Sequence, residues 1–282
     1  MNARQLPDLR DVTICAADTI NPALAARALD LSMRQCQFGD AILFTHESVP
    51  TCARIVPIER IKSREDYSVF MIKELVKHIA TPWVLVVQWD GYVVDGSQWR
   101  DAFFDYDYLG AAWYFYGDGM DVGNGGFSLR STRLLKALAS DRFVCPADAI
   151  EDTLICRTWR RELESGYGVR FAPADVARRF AYEYEMPANP TLGFHGVFNM
   201  WRHVDDHEMM AMARSLDLRT FASRECLQLL IKYCDLQKFA CVKPLYARYK
   251  AQWNREVIVA ALMKAGVAEA RVENVLALCE AA

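Results

Sequence analysis

Four short segments of this chain carry side chains able to do chemistry. The first is the run from Trp83 to Gly91, WVLVVQWDG, in which an apolar stretch rich in β-branched residues ends in a polar, acidic tip and then glycine. Such a run reads as a buried strand that delivers one carboxylate to the edge of a sheet. Open α/β sheets bind ligands outside the carboxyl ends of their strands. Asp90, with Gln88 two residues earlier on the same strand face, is therefore well placed to meet a metal and a nucleotide. Three later segments extend the set: Gly123 to Phe127 (GNGGF), Glu151-Asp152, and His195-Gly196.

Each piece alone has an ordinary structural explanation. An Asp at a strand end is commonly a solvated turn residue. Glycines in loops mostly serve turns, although Gly125 and Gly126 would also let backbone approach a sugar or phosphate closely. Acidic residues at a helix start, as at Glu151 and Asp152, compensate the helix dipole. A histidine between Phe194 and Gly196 is often simply packed. No G-x-G-x-x-G fingerprint follows the first strand, and there is no P-loop. Ser-His-Asp and Cys-His nucleophile signatures are missing too. Dehydrogenase, kinase and hydrolase readings therefore lack support.

The surrounding pattern supplies the elements that would position these groups. Val12 to Ala16 reads as a first strand. Asn21-Pro22 looks like a helix start, with Asn as cap and Pro at the first helical position. Strands follow at Ala41 to Phe44 and Ile55 to Ile58, a helix over 66–80, and then the strand ending near Gln88. This alternation argues for an α/β fold with a largely parallel sheet flanked by helices. Further along, Tyr108 to Ala112 reads as a strand. A loop from Tyr116 to Gly126 holds five glycines. Phe127 to Arg130 reads as extended and Ser131 to Ala139 as helical. Asp148 reads as the cap of a helix from Ala149 to Glu164, and Val169 to Ala172 as another strand. Pro187 to Pro190 is a turn. From His203 onward strand signals vanish and apolar residues recur at helical spacing. The expected division is 1–202 for the main domain and 203–282 for a C-terminal helical appendage.

Composition narrows the class. The chain has 282 residues, 52% of them hydrophobic, and a net charge of −3. A sizeable core is available and general disorder is unexpected. The charge argues against a nucleic-acid partner. Nine cysteines show no C-x-x-C pair and no zinc spacing, so buried, reduced thiols are expected. The polar stretch Met1 to Arg10 does not read as a signal peptide. No apolar run reaches membrane-spanning length. The expected location is cytoplasmic, with peripheral contact at the inner face of a membrane as an option. That option comes from Lys232, Lys238, Lys243, Arg248, Lys250 and Arg255, interleaved with Tyr233, Phe239, Tyr246, Tyr249 and Trp253. They read either as solvated charges beside a helical core or as a surface for anionic lipid head groups.

The order of the chemical segments resembles the GT-A superfamily of nucleotide-sugar glycosyltransferases. More closely, QWDGYV, DYLGAAW, GNGGFSLRS, EDTLICR, GVRFAP and GFHGVFNMW look like a bacterial group of GT-A-type enzymes. The resemblance covers roughly residues 10–201. It implies a Rossmann-like, mixed and mostly parallel sheet. GT-A enzymes carry Asp-x-Asp at a strand end, and the last Asp binds a divalent metal on the diphosphate. Asp90 matches that last Asp, while Gln88 stands where the first would be and brings no charge. The family's glycine loop matches Gly123 to Gly126. Its x-Glu-Asp motif matches Ile150-Glu151-Asp152, and in inverting members that Asp is the general base. Its late histidine, often a further metal ligand, matches His195.

The implied roles agree with elementary chemistry. Asp90 and His195 would hold a cation that stabilises a departing diphosphate. Carboxylate plus imidazole suits Mn²⁺, whereas Mg²⁺ prefers mostly oxygen ligands. Asp152 would take the proton of an acceptor hydroxyl as it attacks the anomeric carbon, with inversion. Glu151 is the alternative base, or it orients the acceptor. Donor contacts are expected from Ala16, Asp18, Glu47, Gln88, Asp90, Gly125 and Gly126. The implied partners are a nucleotide-sugar donor and a saccharide or lipid-linked saccharide acceptor, in bacterial surface polysaccharide synthesis. Two other readings stay open. One is a non-catalytic saccharide- or nucleotide-binding protein of the same fold. The other is a sugar-nucleotide nucleotidyltransferase, which would need a glycine- and basic-rich loop that Cys15 to Thr19 does not offer.

Overall fold

A computed structural model describes residues 6–282. The first five residues, part of the polar N-terminal stretch read above, lie outside the described residues. The chain divides into two units, Met1–His195 and Gly196–Ala282. The division precedes the short turn Val197–Arg202, which the sequence reading assigned to the first unit.

The first unit is built on a mixed six-stranded sheet. Its elements in chain order begin with β1 (Asp8–Ala17), α1 (Pro22–Met33), β2 (Gln37–Thr45) and β3 (Arg54–Pro57). Then come α2 (Arg64–Val69), β4 (Trp83–Val86), β5 (Tyr108–Leu109) and β6 (Ser128–Ser131). The sheet order is β3-β2-β1-β4-β6-β5. β1 pairs in parallel with β2 and β4, and β2 with β3. β6 runs antiparallel to both β4 and β5. Ile14, Ile42, Leu43, Val84 and Leu85 are fully buried. Their β-branched and aliphatic side chains fill both faces of the sheet, as near-continuous apolar strands require.

The reversed strand matters most for the site. Because β6 is antiparallel to β4, its first residue Ser128 lies opposite Val86. The loop entering β6 therefore meets the loop leaving β4 at one edge of the sheet. Asp107, just before the edge strand β5, ties the end of β6 in place. Its buried carboxylate accepts from Ser131 Oγ at 2.5 Å, Arg133 Nε at 3.0 Å and the Arg170 backbone N–H at 2.8 Å. Burial alone would raise its pKa, but these donors together hold it below the ordinary value.

Beyond β6 the unit continues with α3 (Thr132–Ala139), α4 (Glu151–Thr153), α5 (Arg160–Tyr167) and α6 (Ala174–Phe180). Ser131 caps α3 by accepting from Leu134 N at 3.1 Å. Two short strands, β7 (Ala181–Tyr182) and β8 (Gly193–Phe194), pair in parallel.

Several sequence expectations need revision. The helix expected over 66–80 is broken into α2, a π turn at Phe70–Glu74 and a 3-10 turn at Leu75–His78. It begins at a capping box of Ser63 and Asp66 instead. Asn21 stands at the start of α1, with Pro22 first in the helix, but makes no side-chain cap bond. Asp18 serves that turn instead, accepting from Ile20 N and Asn21 N at 2.7 Å each. Asp148 does not cap a helix, because its φ of 58° puts it in the left-handed region and the helix starts at Glu151. Val169 to Ala172 forms no strand, only a bridge from Phe171 to Tyr108.

The second unit is helical: α7 (Asp206–Ser215), α8 (Leu218–Phe221), α9 (Arg224–Asp235), α10 (Phe239–Lys250), α11 (Arg255–Lys264) and α12 (Glu269–Ala281). Asp205, Asp217, Ser223 and Asn254 each cap a helix through the side chain. Three of the basic residues singled out above are engaged within this unit. Lys238 pairs with Asp206 at 2.7 Å, and Arg255 pairs with Glu280 at 2.9 Å and with Glu273. Arg248 donates to the carbonyls of Ala213 and Leu216. Tyr233, Tyr246 and Tyr249 are buried. Among the described residues no helix is long and apolar enough to cross a membrane. All nine cysteines are free thiols, seven of them buried.

Candidate active site

The strand β4 ends in a tight turn. Gln88 and Gly91 exchange backbone hydrogen bonds at 3.0 Å each way, so Trp89 and Asp90 form its tip. Asp90 is buried. After the turn, Val93 bridges Gly193 and Val94 N donates to the Leu192 carbonyl at 2.9 Å. β8 is thereby laid beside the turn, and the next residue, His195, arrives at Asp90.

Parallel pairing of β7 with β8 brings a further carboxylate. Tyr182 is in register with Phe194, so the residues that follow, Glu183 and His195, are neighbours. Glu183 Oε1 lies 2.9 Å from His195 Nδ1. The other ring nitrogen, Nε2, lies 3.1 Å from Gln88 Oε1 and 3.6 Å from Asp90 Oδ1. Gln88 is oriented from its other end, where its amide donates to Tyr67 Oη at 3.0 Å. Burial would lower the histidine's pKa. The charges of Asp90, Glu183 and Asp152 outweigh that and raise it to about 9.

The glycines have a definite job here. A Cβ on Gly126 would fall 2.0 Å from His195 Nε2, and one on Gly91 would fall 2.8 Å from His195 Cδ2. The imidazole is seated in the space two missing side chains leave. A Cβ on Gly125 would fall 2.1 Å from Glu151 Oε2. The absence of side chains at Gly125 and Gly126 also admits a carboxylate and an imidazole. Asn124 shapes the loop, with φ of 68° and a carbonyl accepting from Gly126 N and Phe127 N at 3.0 and 3.1 Å. Its amide nitrogen lies 3.1 Å from His195 Nδ1.

Glu151 and Asp152, adjacent at the start of α4, point differently, as successive helical residues do. Glu151 is buried and ion-paired with Arg130, which is fully buried. Arg130 also donates to Ser128 Oγ at 3.0 Å and to the Gly125 carbonyl at 3.2 Å. Asp152 is half-buried and accepts from Gly125 N at 3.2 Å. Burial, with the nearby charge of Glu183, raises its pKa above the ordinary carboxylate value. A carboxylate so placed is a better proton acceptor near neutral pH than a solvated one.

The remaining expected donor residues lie on the β1–β2 side of the same sheet edge. Ala16 is buried near the end of β1. Asp18 serves the turn into α1, as described. Glu47 is exposed, 3.8 Å from His46. The structure thus gathers Gln88, Asp90, Asp152 and His195, and β1, which carries Ala16, runs beside β4 with Cys15 opposite Val86. Sequence reasoning missed Glu183. Its signal was the pair of short apolar steps Ala181-Tyr182 and Gly193-Phe194, each followed by a titratable residue.

The donors around His195 are of types that bind divalent cations. Among the described residues no three His, Cys, Asp or Glu side chains cluster as a ready metal site. The available donors are one carboxylate, one imidazole nitrogen and the neutral carbonyl of Gln88. Metal-bound histidines commonly give their other N–H to a carboxylate, the relation His195 Nδ1 has with Glu183.

Residues 51–195 match the model of a family described as "Protein of unknown function (DUF5672)". The chain belongs to that family. Its matched region holds every member of the cluster, from Gln88 to His195. No curated protein matches the chain. Among solved structures, the apo form of the glycosyltransferase GlyE from Streptococcus pneumoniae TIGR4 is similar at 12% identity and a TM-score of 0.35, over 65% of this chain and 53% of that one. The chain thus spans about half the length of that structure, and a likeness of this degree says nothing about activity.

Two outcomes test the cluster. Gly126→Ala should displace His195 and lower stability by about 1–3 kcal/mol. Unchanged melting and unchanged imidazole resonances would contradict the seating. The raised histidine pKa also makes stability pH-dependent. Its contribution is complete below about pH 6.5 and is lost as pH rises through about 9. In chelator, unfolding free energy should drop on the order of 1–3 kcal/mol across that window, and His195→Asn should flatten the drop. A wild-type profile without it would sink the charged cluster.

Proposed function

We propose that this chain is a GT-A-type glycosyltransferase that moves a sugar from a nucleotide donor to a saccharide acceptor. The observation that carries the proposal is the convergence of Asp90, His195 and Asp152 at the carboxyl edge of a mostly parallel sheet. Three groups from distant segments, each with a role implied by the motif resemblance, meet around one imidazole.

In this reading Asp90, His195 and the Gln88 carbonyl hold a divalent cation, Mn²⁺ in preference to Mg²⁺. When bound, the cation offsets charge on a departing nucleoside diphosphate. Glu183 keeps the Nδ1 proton, so Nε2 faces Asp90. Asp152 receives the proton of the acceptor hydroxyl, and the hydroxyl oxygen attacks the anomeric carbon from the face opposite the leaving group. One displacement inverts that centre. Glu151, ion-paired and buried, acts as a positioning residue. It braces Arg130, whose bonds to Gly125 and Ser128 shape the loop that holds Asp152.

Asp152→Asn should reduce turnover by about 10²-fold or more while donor affinity stays near wild type. Single-turnover kinetics with a nucleotide sugar, beside calorimetric donor titration, separates the two. Turnover at the wild-type rate would remove Asp152 as the base.

A further inference from the structure

The aromatic run from Trp113 to Tyr116 takes no part in the cluster around His195. It is nevertheless held firmly. Ala112 bridges Val122, and Trp113 N donates to the Asp121 carbonyl at 2.8 Å. The Trp113 indole lies where a side chain on Gly123 would be, 2.0 Å from the Cβ position. At the tip, Gly117 N donates to Asp121 Oδ1 at 2.9 Å. The Arg157 guanidinium lies 3.8 Å from the centre of the Tyr116 ring and pairs with Asp118 at 2.7 Å.

Despite these ties the rings face solvent. Tyr114 is 62% exposed, Phe115 51% and Tyr116 42%. Phe115 stacks on Trp113 and meets Tyr184 edge-on, each at 6.2 Å between centroids. Tyr184 is 44% exposed. A contiguous aromatic patch held rigid in water marks a ligand or partner surface, and rigidity lowers the ordering cost of binding.

A cavity adjoins the patch. It measures about 260 Å³, and its lining includes Ala112, Asp175, Arg178, Glu183, Met186 and Asn189. Ala112 leads into the aromatic run, and Glu183 precedes Tyr184. Patch and cavity therefore meet beside Glu183, whose carboxylate holds the Nδ1 of His195.

The lining selects the chemistry of the occupant. A pyranose ring has apolar C–H faces and an edge of hydroxyls. The faces suit flat aromatic rings, and the hydroxyls need donors and acceptors together. Asp175, Arg178 and Asn189 supply both. An acyl chain would make no hydrogen bond to any of them, and Arg178 would keep only its ion pair with Glu185 at 3.0 Å. The volume falls just under the roughly 300–1,000 Å³ of drug-sized sites, room for about one sugar ring.

We propose that Tyr114, Phe115 and Tyr184 form a stacking platform for a neutral oligosaccharide whose terminal ring enters the cavity beside Glu183. Its identity as the acceptor rests on the glycosyltransferase reading. Saccharide binding itself is measurable without it.

The test exposes the labelled full chain to an array of neutral oligosaccharides, as wild type and as Tyr114→Ala/Phe115→Ala. Wild type should retain a subset of glycans, and the double variant should bind them at least about tenfold more weakly with an unchanged melting temperature. Where the alanine variant melts early, Tyr114→Leu/Phe115→Leu keeps apolar bulk without flat rings and should show the same loss. No glycan retained by wild type, or equal retention by the leucine variant, would overturn the platform. So would a loss confined to binding of phospholipid vesicles or to self-association. Hydrolysis of nucleotide sugars by wild type is measured separately. Glycan capture without any donor hydrolysis would uphold the platform and end the enzyme reading.

Discussion

One imidazole organises this site. His195 fits only because Gly126 and Gly91 leave room for its ring, and its two nitrogens are claimed from opposite sides by Glu183 and by Gln88 with Asp90. Sheet topology makes the meeting possible. An antiparallel β6 brings the glycine loop back to the end of β4, and the β7–β8 pair delivers histidine and glutamate in one register. Fixing a ring between three carboxylates is electrostatically favourable only with positive charge at the centre, as a proton or as a metal ion. The two are mutually exclusive at Nε2, so a metal ion taken up there would have to displace a proton.

A second constraint lies beneath the first. Arg130 and Glu151 are buried together under Gly125. Such a pair adds little net stability, but losing one partner strands the other charge, at a cost of about 3–5 kcal/mol. Its return is geometric, because Arg130 holds the Gly125 carbonyl while the Gly125 amide holds Asp152. Two adjacent acids thereby divide their labour. Glu151 sets the loop, and Asp152 accepts from it while adding its charge to the field at His195.

Much of this was legible in the chain. The strand before Gln88, the acidic tip at Asp90 and the helix up to Ala139 follow from apolar runs and their polar boundaries. The α/β class follows from their alternation. What escaped was set by tertiary register. Nothing local in Glu183 distinguishes it from a surface acid, because its partner lies twelve residues away, just past a strand of two residues. Asp148 misled for a related reason: its left-handed backbone is invisible to a capping rule based on residue type. The closeness of approach that the glycines allow was legible, but the two side chains that use it, Glu151 and His195, were not, since side-chain intrusion leaves no mark in the glycine loop itself.

The most direct measurement is calorimetric titration of the full chain with UDP, GDP, dTDP and CMP sugars, with and without Mn²⁺, alongside Asp90→Asn. The account predicts that at least one nucleotide sugar binds, more tightly with Mn²⁺, and at least about tenfold more weakly to the variant, a difference of about 1.4 kcal/mol. Equal binding by wild type and variant, or no binding of any nucleotide sugar in either condition, would contradict it.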